Sequence, residues 1–303
     1  MTGRSSLGAL LLVVALTACQ ESSTTPGSPA SEGDEFHQPA GETGAPSAPA
    51  PQSSPPPSST PSPRAAEPGT VAPAWLGTRP LPLRSDGYGR AGRTPRALDP
   101  RRFTLPDTAR PLSGTGFAAV VEAAPADVLE RSTWAPGCPV AVADLAYVRL
   151  AFWGFDDRRH TGELLVNASV ADDLVSVFRA LYRERFPFEE LRITRPDELD
   201  ARPTGDGNVT GAFVCRPTTG STSTFSQHAY GLAIDLDPFQ NPYVKGDLVL
   251  PELASSYADR GRLRPGMITP DSVVVREFAR VGWTWGGSWR SLKDYQHFSQ
   301  NGR

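Results

Sequence analysis

An abrupt change of composition near Val71 limits what this 303-residue chain can fold into more than any other feature. From Gln20 to about Val71 the sequence consists largely of Pro, Ser, Thr, Gly, Ala and Glu, with runs such as Ser53-Ser54-Pro55-Pro56-Pro57. Few side chains there can offset the entropy of ordering a backbone, so residues 19–71 read as a disordered tether. Pro-rich segments stay extended, and about 50 such residues reach on the order of 100 Å. A core has to come from downstream. Periodic apolar content begins near Pro106 and leaves roughly 200 residues, a normal length for one domain, over 106–303.

The residues before the tether read as an address. Arg4 precedes an apolar run from Leu7 to Leu16, too short to span a bilayer stably, and small residues follow. Leu16-Thr17-Ala18-Cys19 resembles the lipobox of bacterial lipoproteins. That resemblance implies a signal peptide over 1–18, lipidation of the Cys19 thiol, and an extracytoplasmic protein held by its lipid on a bacterial membrane facing the cell wall. An ordinary secretory signal with an incidental Cys is the other reading.

The net charge of −3 gives no sign of a nucleic-acid-binding domain. Between the tether and the domain, residues 72–105 collect Arg79, Arg84, Arg90, Arg93, Arg96, Arg101 and Arg102 among many Pro and Gly. This stretch reads as an irregular basic arm, either a solvated loop or a contact for anionic lipid or wall polymer.

Within the domain, Leu145–Trp153 and Glu163–Asn167 read as strands. Asn167-Ala168-Ser169 opens a helix that buries Val170, Leu174, Val177, Phe178 and Leu181 and stops at Pro187. Leu191 and Ile193 suggest a short strand. Thr269-Pro270-Asp271 reads as the start of a second helix carrying Val274, Phe278 and Val281, with Gly282 at its end. Strands and helices mix without regular alternation, so the expected class is α+β, a largely antiparallel sheet flanked by helices. In an exported chain the pair Cys138 and Cys215 most simply forms a disulfide, worth roughly 4 kcal/mol on the chain-entropy argument. The bridge would fix the backbone beneath Arg216.

The chemistry concentrates near the C-terminus. Leu232 to Asp237 alternates apolar with small or acidic residues, as a half-buried strand does, and puts Ala233, Asp235 and Asp237 on one face. His228 lies in a turn with Gly231 and can fold back toward Asp235. His and Asp at this spacing are also compatible with simple local hydrogen bonding. A second element, Asp294-Tyr295-Gln296-His297, adds another imidazole and another acid. Two imidazoles and a carboxylate suit a catalytic zinc, because three protein ligands leave a fourth position open. The remaining acid would serve as proton acceptor. For Asp294 and His297 to serve one site, the segment must turn or bulge, since i and i+3 face opposite sides of a regular strand. The Gly- and Trp-rich stretch from Gly282 to Trp289 reads as an irregular cleft wall, with Trp285 as a substrate-binding candidate. Asp237 is a candidate partner for a ligand imidazole or a turn residue, and His160 reads as a turn or surface histidine.

SQHAYGLAID (Ser226 to Asp235) and DYQHF (Asp294 to Phe298) resemble the SxHxxGxAxD and acid-x-x-His elements of the D-alanyl-D-alanine carboxypeptidase-like zinc peptidases, a family that includes L-alanyl-D-glutamate endopeptidases. The resemblance covers most of Cys138 to Phe298. It implies the LAS or hedgehog-type zinc peptidase fold, with Zn2+ held by His228, Asp235 and His297. It implies general acid–base work by Asp294, where many relatives carry Glu, and a substrate-polarising role for Arg216. Ser226, within the motif, is expected to orient its neighbourhood and the substrate. The expected function is zinc-dependent hydrolysis of peptidoglycan stem peptides, of carboxypeptidase or endopeptidase type, by a monomer. A wall-binding or metal-binding lipoprotein on the same fold, without catalysis, is the alternative, and Asp294 speaks against it because a binding site needs no proton shuttle.

Overall fold

The apolar run from Leu145 to Trp153, interrupted only by Arg149, is explained by a strand buried on both faces. The computed structural model describes residues 67–218, 221 and 223–302. The signal peptide over 1–18, the lipidation site Cys19 and nearly all of the tether lie outside the described residues. In chain order the strands and helices are β1 (Ala119–Ala123), α1 (Ala126–Glu130), β2 (Leu145–Gly154), β3 (Arg159–Asn167), α2 (Ala171–Arg183), β4 (Pro187–Phe188), β5 (Glu190–Leu191), β6 (Val209–Thr210), β7 (Ala233–Asp235), β8 (Tyr243–Lys245), β9 (Leu248–Leu250), α3 (Ser255–Ala258), α4 (Val273–Arg280), β10 (Thr284–Trp285), β11 (Lys293–Asp294) and β12 (His297–Ser299). The class is α+β, with several antiparallel sheets and few helices; two short pairs, β2 with β4 and β5 with β6, are parallel. Among the described residues no helix is long and apolar enough to cross a membrane.

β2 and β3 pair antiparallel from Leu145↔Asn167 to Trp153↔Arg159. Ala146, Val148, Leu150 and Phe152 face the main core with Leu164 and Val166. Leu145, Tyr147 and Leu165 face a second cluster with Val128, Ile193 and Phe213, against which Cys138 and Cys215 pack. Alternate residues therefore feed two cores, and the buried Glu163 on the second face is engaged by Tyr147 and Arg131 at 2.6 Å. The disulfide joins Cys138 to Cys215 with Cα atoms 5.9 Å apart.

α2 lies on the main-core face and buries Leu174, Val177, Phe178 and Leu181, as the 3–4 spacing predicts. Asn167 accepts a bond from Ser169 N–H at 3.1 Å, opening a short 3-10 turn before α2. α4 begins later than expected. Ser272 caps it by accepting from Val275 N–H, while Asp271 is engaged by the Thr269 hydroxyl at 2.8 Å in a turn before the helix. Val274 and Phe278 face inward, and Phe278 stacks on Phe298 of β12. The main core thus reaches the strand that carries the second histidine.

The arm also differs from the expectation. Residues 72–105 contain no strand and only one short 3-10 turn, Arg96–Leu98, yet they lie against the body. Leu98 and Phe103 are buried with Phe239, Ala254 and Tyr257. Arg101, read from composition as part of a solvated loop, is 1% exposed and forms a two-bond ion pair with Glu189 at 2.6 Å each.

Candidate metal centre

Backbone pairing brings two of the candidate ligands together. β12 runs antiparallel to β7, and His297 stands directly opposite Asp235. Opposed residues leave the same face of a sheet, so imidazole and carboxylate meet, with His297 Nδ1 3.1 Å from Asp235 Oδ1. β7 ends at Asp235, which also exchanges both backbone hydrogen bonds with Gly211.

His228 enters from a 3-10 turn, Gln227–Tyr230, just before β7. The Ser226 hydroxyl accepts the His228 N–H at 3.4 Å, and Gly231 closes the turn in the left-handed region at φ +68°. A side chain at Gly231 would place Cβ 2.4 Å from Asn167 N, so only glycine lets the turn sit on the end of β3. His228 Nδ1 donates to the Ala212 carbonyl at 2.6 Å, which leaves Nε2 as the acceptor of the neutral ring. That Nε2 lies 3.2 Å from His297 Nδ1 and 3.4 Å from Asp235 Oδ1.

The three atoms form a triangle with edges of 3.1 to 3.4 Å. Ligand atoms around a tetrahedral zinc, each about 2.0–2.1 Å from the ion, are about 3.3 Å apart. With His228 Nδ1 committed to Ala212, three atoms that can each present a lone pair converge on one point. A cation satisfies such a set of lone pairs, so the residues present fit a zinc ion. Burial pushes the Asp235 carboxyl up, but the two imidazoles outweigh it and hold the group well below the usual carboxylate range.

Asp294 ends β11, and the chain bends at Tyr295–Gln296 before β12 begins at His297. This is the turn that the i, i+3 spacing required, and it passes the chain from one sheet to another. Asp294 Oδ1 is buried and has no hydrogen-bond partner among the described residues. Burial and the charge of Asp235 push its carboxyl up to about 7, against the pull of His297, Gln296 and Arg216. Gly286 makes room for it: a Cβ there would fall 2.7 Å from the Asp294 carbonyl oxygen and 2.9 Å from its Cβ.

His228, Asp235, His297 and Asp294 line a cleft of about 530 Å³, together with Arg216 and Ser226. Arg216 Nη1 donates to the Pro217 carbonyl at 3.1 Å, and the neighbouring Cys215 is held by the disulfide and by a bond from its N–H to Thr133 Oγ1 at 2.9 Å. Trp285 does not line the cleft. Its ring is packed in the main core and its Nε1–H donates to the Tyr295 carbonyl at 2.8 Å, because the β10–β12 pairing turns it inward. Trp289, four residues on, stands in the cleft instead.

Asp237 is not the imidazole's partner; the Ala212 carbonyl is. After β7 the backbone of Asp237 takes φ +40°, and its buried Oδ1 accepts from Glu189 N–H at 3.1 Å, away from both histidines. His160 lies between Asp107 and Asp156 and outside the cleft. His37 lies outside the described residues. Sequence reasoning missed Tyr243 and Lys245, which reach the cleft from the β8–β9 hairpin. Gly246-Asp247 between two β-prone runs was the available signal.

A family model described as D-alanyl-D-alanine carboxypeptidase matches residues 219–300. The match contains His228, Asp235, Asp294 and His297 and ends short of Arg216 and both cysteines. No curated protein and no solved structure matches the chain.

Proposed function

We propose that the protein is a zinc-dependent peptidase that hydrolyses peptidoglycan stem peptides, with His228, Asp235 and His297 as the metal ligands. The observation that carries this reading is the triangle of His228 Nε2, Asp235 Oδ1 and His297 Nδ1 in a cleft that also holds the buried, unpartnered Asp294 Oδ1. Zinc bound there supplies a Lewis acid and lowers the pKa of water toward about 7. Asp294 Oδ1 takes the proton lost by the attacking water and returns it to the departing amine. Burial raises the Asp294 carboxyl above its ordinary range, which favours holding the proton between the two steps. Arg216 meets the negative charge that develops on the scissile carbonyl or the carboxylate of the substrate. Ser226 holds the His228 turn and so acts on the ligand, and its place in the cleft allows contact with the peptide.

Cleavage before Cys19 and lipidation of its thiol belong to the same proposal, and would place the domain on the wall-facing side of a bacterial membrane at the end of the Pro-rich tether.

The test is mass spectrometry of muropeptides incubated with the protein, with and without a chelator. New products that vanish with chelator and return with zinc are expected. One zinc per chain with no product on any stem peptide would leave only a metal-binding module.

A further inference from the structure

A second cleft, of about 820 Å³, opens where the basic arm meets the segment after β9. Arg93, Thr94, Arg96, Asp99, Ser256 and Arg262 are among its lining residues, and none of its lining residues belongs to the metal-site cleft. The whole chain is acidic, at −3, yet this concavity is basic. Asp99 does not neutralise it, because Arg264 already holds both of its carboxylate oxygens at 2.8 and 3.2 Å. Arg262 reaches Asp99 only at 3.7 Å. Arg93 and Arg96 are exposed and have no ion-pair partner among the described residues. Three guanidinium groups are therefore left with an excess of positive charge around one cleft.

The polar groups between them are selective. The Thr94 hydroxyl is used within the protein, donating to the Leu253 carbonyl at 2.6 Å and accepting from Ser256 N–H at 2.9 Å. Ser256 lines the cleft, while its Oγ is buried beneath that surface and has no hydrogen-bond partner among the described residues. Guanidinium forks match the oxygens of a phosphate group. The volume suits a ligand of several linked groups and is far larger than a single ion needs. No aromatic side chain lines the cleft, so stacking of nucleobases is not provided for. A concave surface accepts a chain laid along it better than it accepts a flat bilayer.

We infer that this cleft is a binding site for a linear phosphodiester polyanion without aromatic bases, such as a polyol-phosphate or sugar-phosphate chain. The site is non-catalytic and independent of the peptidase reading. Its role is to hold the body of the protein on a phosphate-bearing polymer while the other cleft meets its own substrate.

Isothermal titration of the full chain with a synthetic glycerol-phosphate hexamer, at about 50 mM salt, tests this directly. Saturable one-to-one binding is expected, equal with and without zinc. The combined R93Q/R96Q/R262Q variant should bind at least tenfold more weakly with an unchanged melting temperature. R93Q alone, at a guanidinium with no ion-pair partner among the described residues, should shift affinity the same way. Any of four results would overturn the inference: no binding by the parent, undiminished binding by both variants, equal binding of inorganic phosphate or a DNA hexamer, or binding only to phosphatidylglycerol vesicles.

Discussion

His297 and Asp235 are direct partners across the β12–β7 pair, and their side chains meet with Nδ1 3.1 Å from Oδ1. Two of the three proposed ligands are thus set by strand register, and the third, His228, by a turn closed with Gly231. Removing one ligand leaves two, too few to hold zinc tightly at this site. His228→Ala and Asp235→Ala should each lose bound zinc, measured as metal per chain after dialysis. Zinc should raise the melting temperature of the parent, because an ion that binds only the folded state stabilises it, and leave both variants unmoved.

Asp294→Asn keeps the shape of the side chain and removes its ability to carry a proton. Zinc content should stay at the parental level, since Asp294 is not in the triangle. Turnover should fall by about 10²–10⁴-fold, the usual contribution of a general base. Near-parental hydrolysis by a zinc-loaded Asp294→Asn protein would remove Asp294 from the mechanism.

Gly286→Ala tests the placement of that carboxylate without touching it. The new methyl would lie 2.7 Å from the Asp294 carbonyl oxygen, 2.9 Å from its Cβ and 3.3 Å from His297 Cβ, so β11 must shift and zinc content is measured alongside the rate. A displacement approaching 1 Å costs about 10²-fold in rate. A fall of at least tenfold in kcat, with the protein still folded by circular dichroism, is expected.

What could be read in the sequence was what short-range pattern controls. The β2–β3 hairpin and the stripe of α2 follow from the spacing of their apolar residues, and His228, Asp235 and His297 from two short motifs. What could not be read depends on distant partners. Trp285 and Trp289 look alike in sequence, but the Tyr295 carbonyl and the pairing with β12 draw Trp285 into the core. Asp237 continues the alternation of β7 on paper, yet its backbone turns to φ +40° and its carboxyl finds Glu189 N–H. Arg101 sits among Pro, Gly and other arginines, and nothing near it points to Glu189, 88 residues away.

That ion pair gives a stability prediction. Arg101 also donates to the Asp206 carbonyl at 2.8 Å, while Asn208 donates to Glu189 at 2.8 Å, so both charges are enclosed in a bonded network. Arg101→Met would leave the Glu189 carboxylate buried without its cation. A loss of about 3–5 kcal/mol is expected in urea unfolding. Unchanged stability would mean that the basic arm contributes little to the fold.

His160 supplies a pH dependence far from the metal centre. Its Nδ1 lies 2.7 Å from Asp107 Oδ1 and its Nε2 3.0 Å from Asp156 Oδ1, while its ring stacks on Phe152. The bond to Asp107 raises its pKa most; burial opposes it, and Asp156 adds to the rise. Protonated, both ring nitrogens donate; neutral, only one can. Because the folded-state pKa is raised, the stabilisation is complete below the ordinary value of about 6.5 and is lost as pH rises through the folded value. The difference in melting temperature between the parent and His160→Gln should be largest near about pH 6 and shrink toward about pH 9. A gap that stays constant or widens with pH would show that the two carboxylates do not hold a protonated ring.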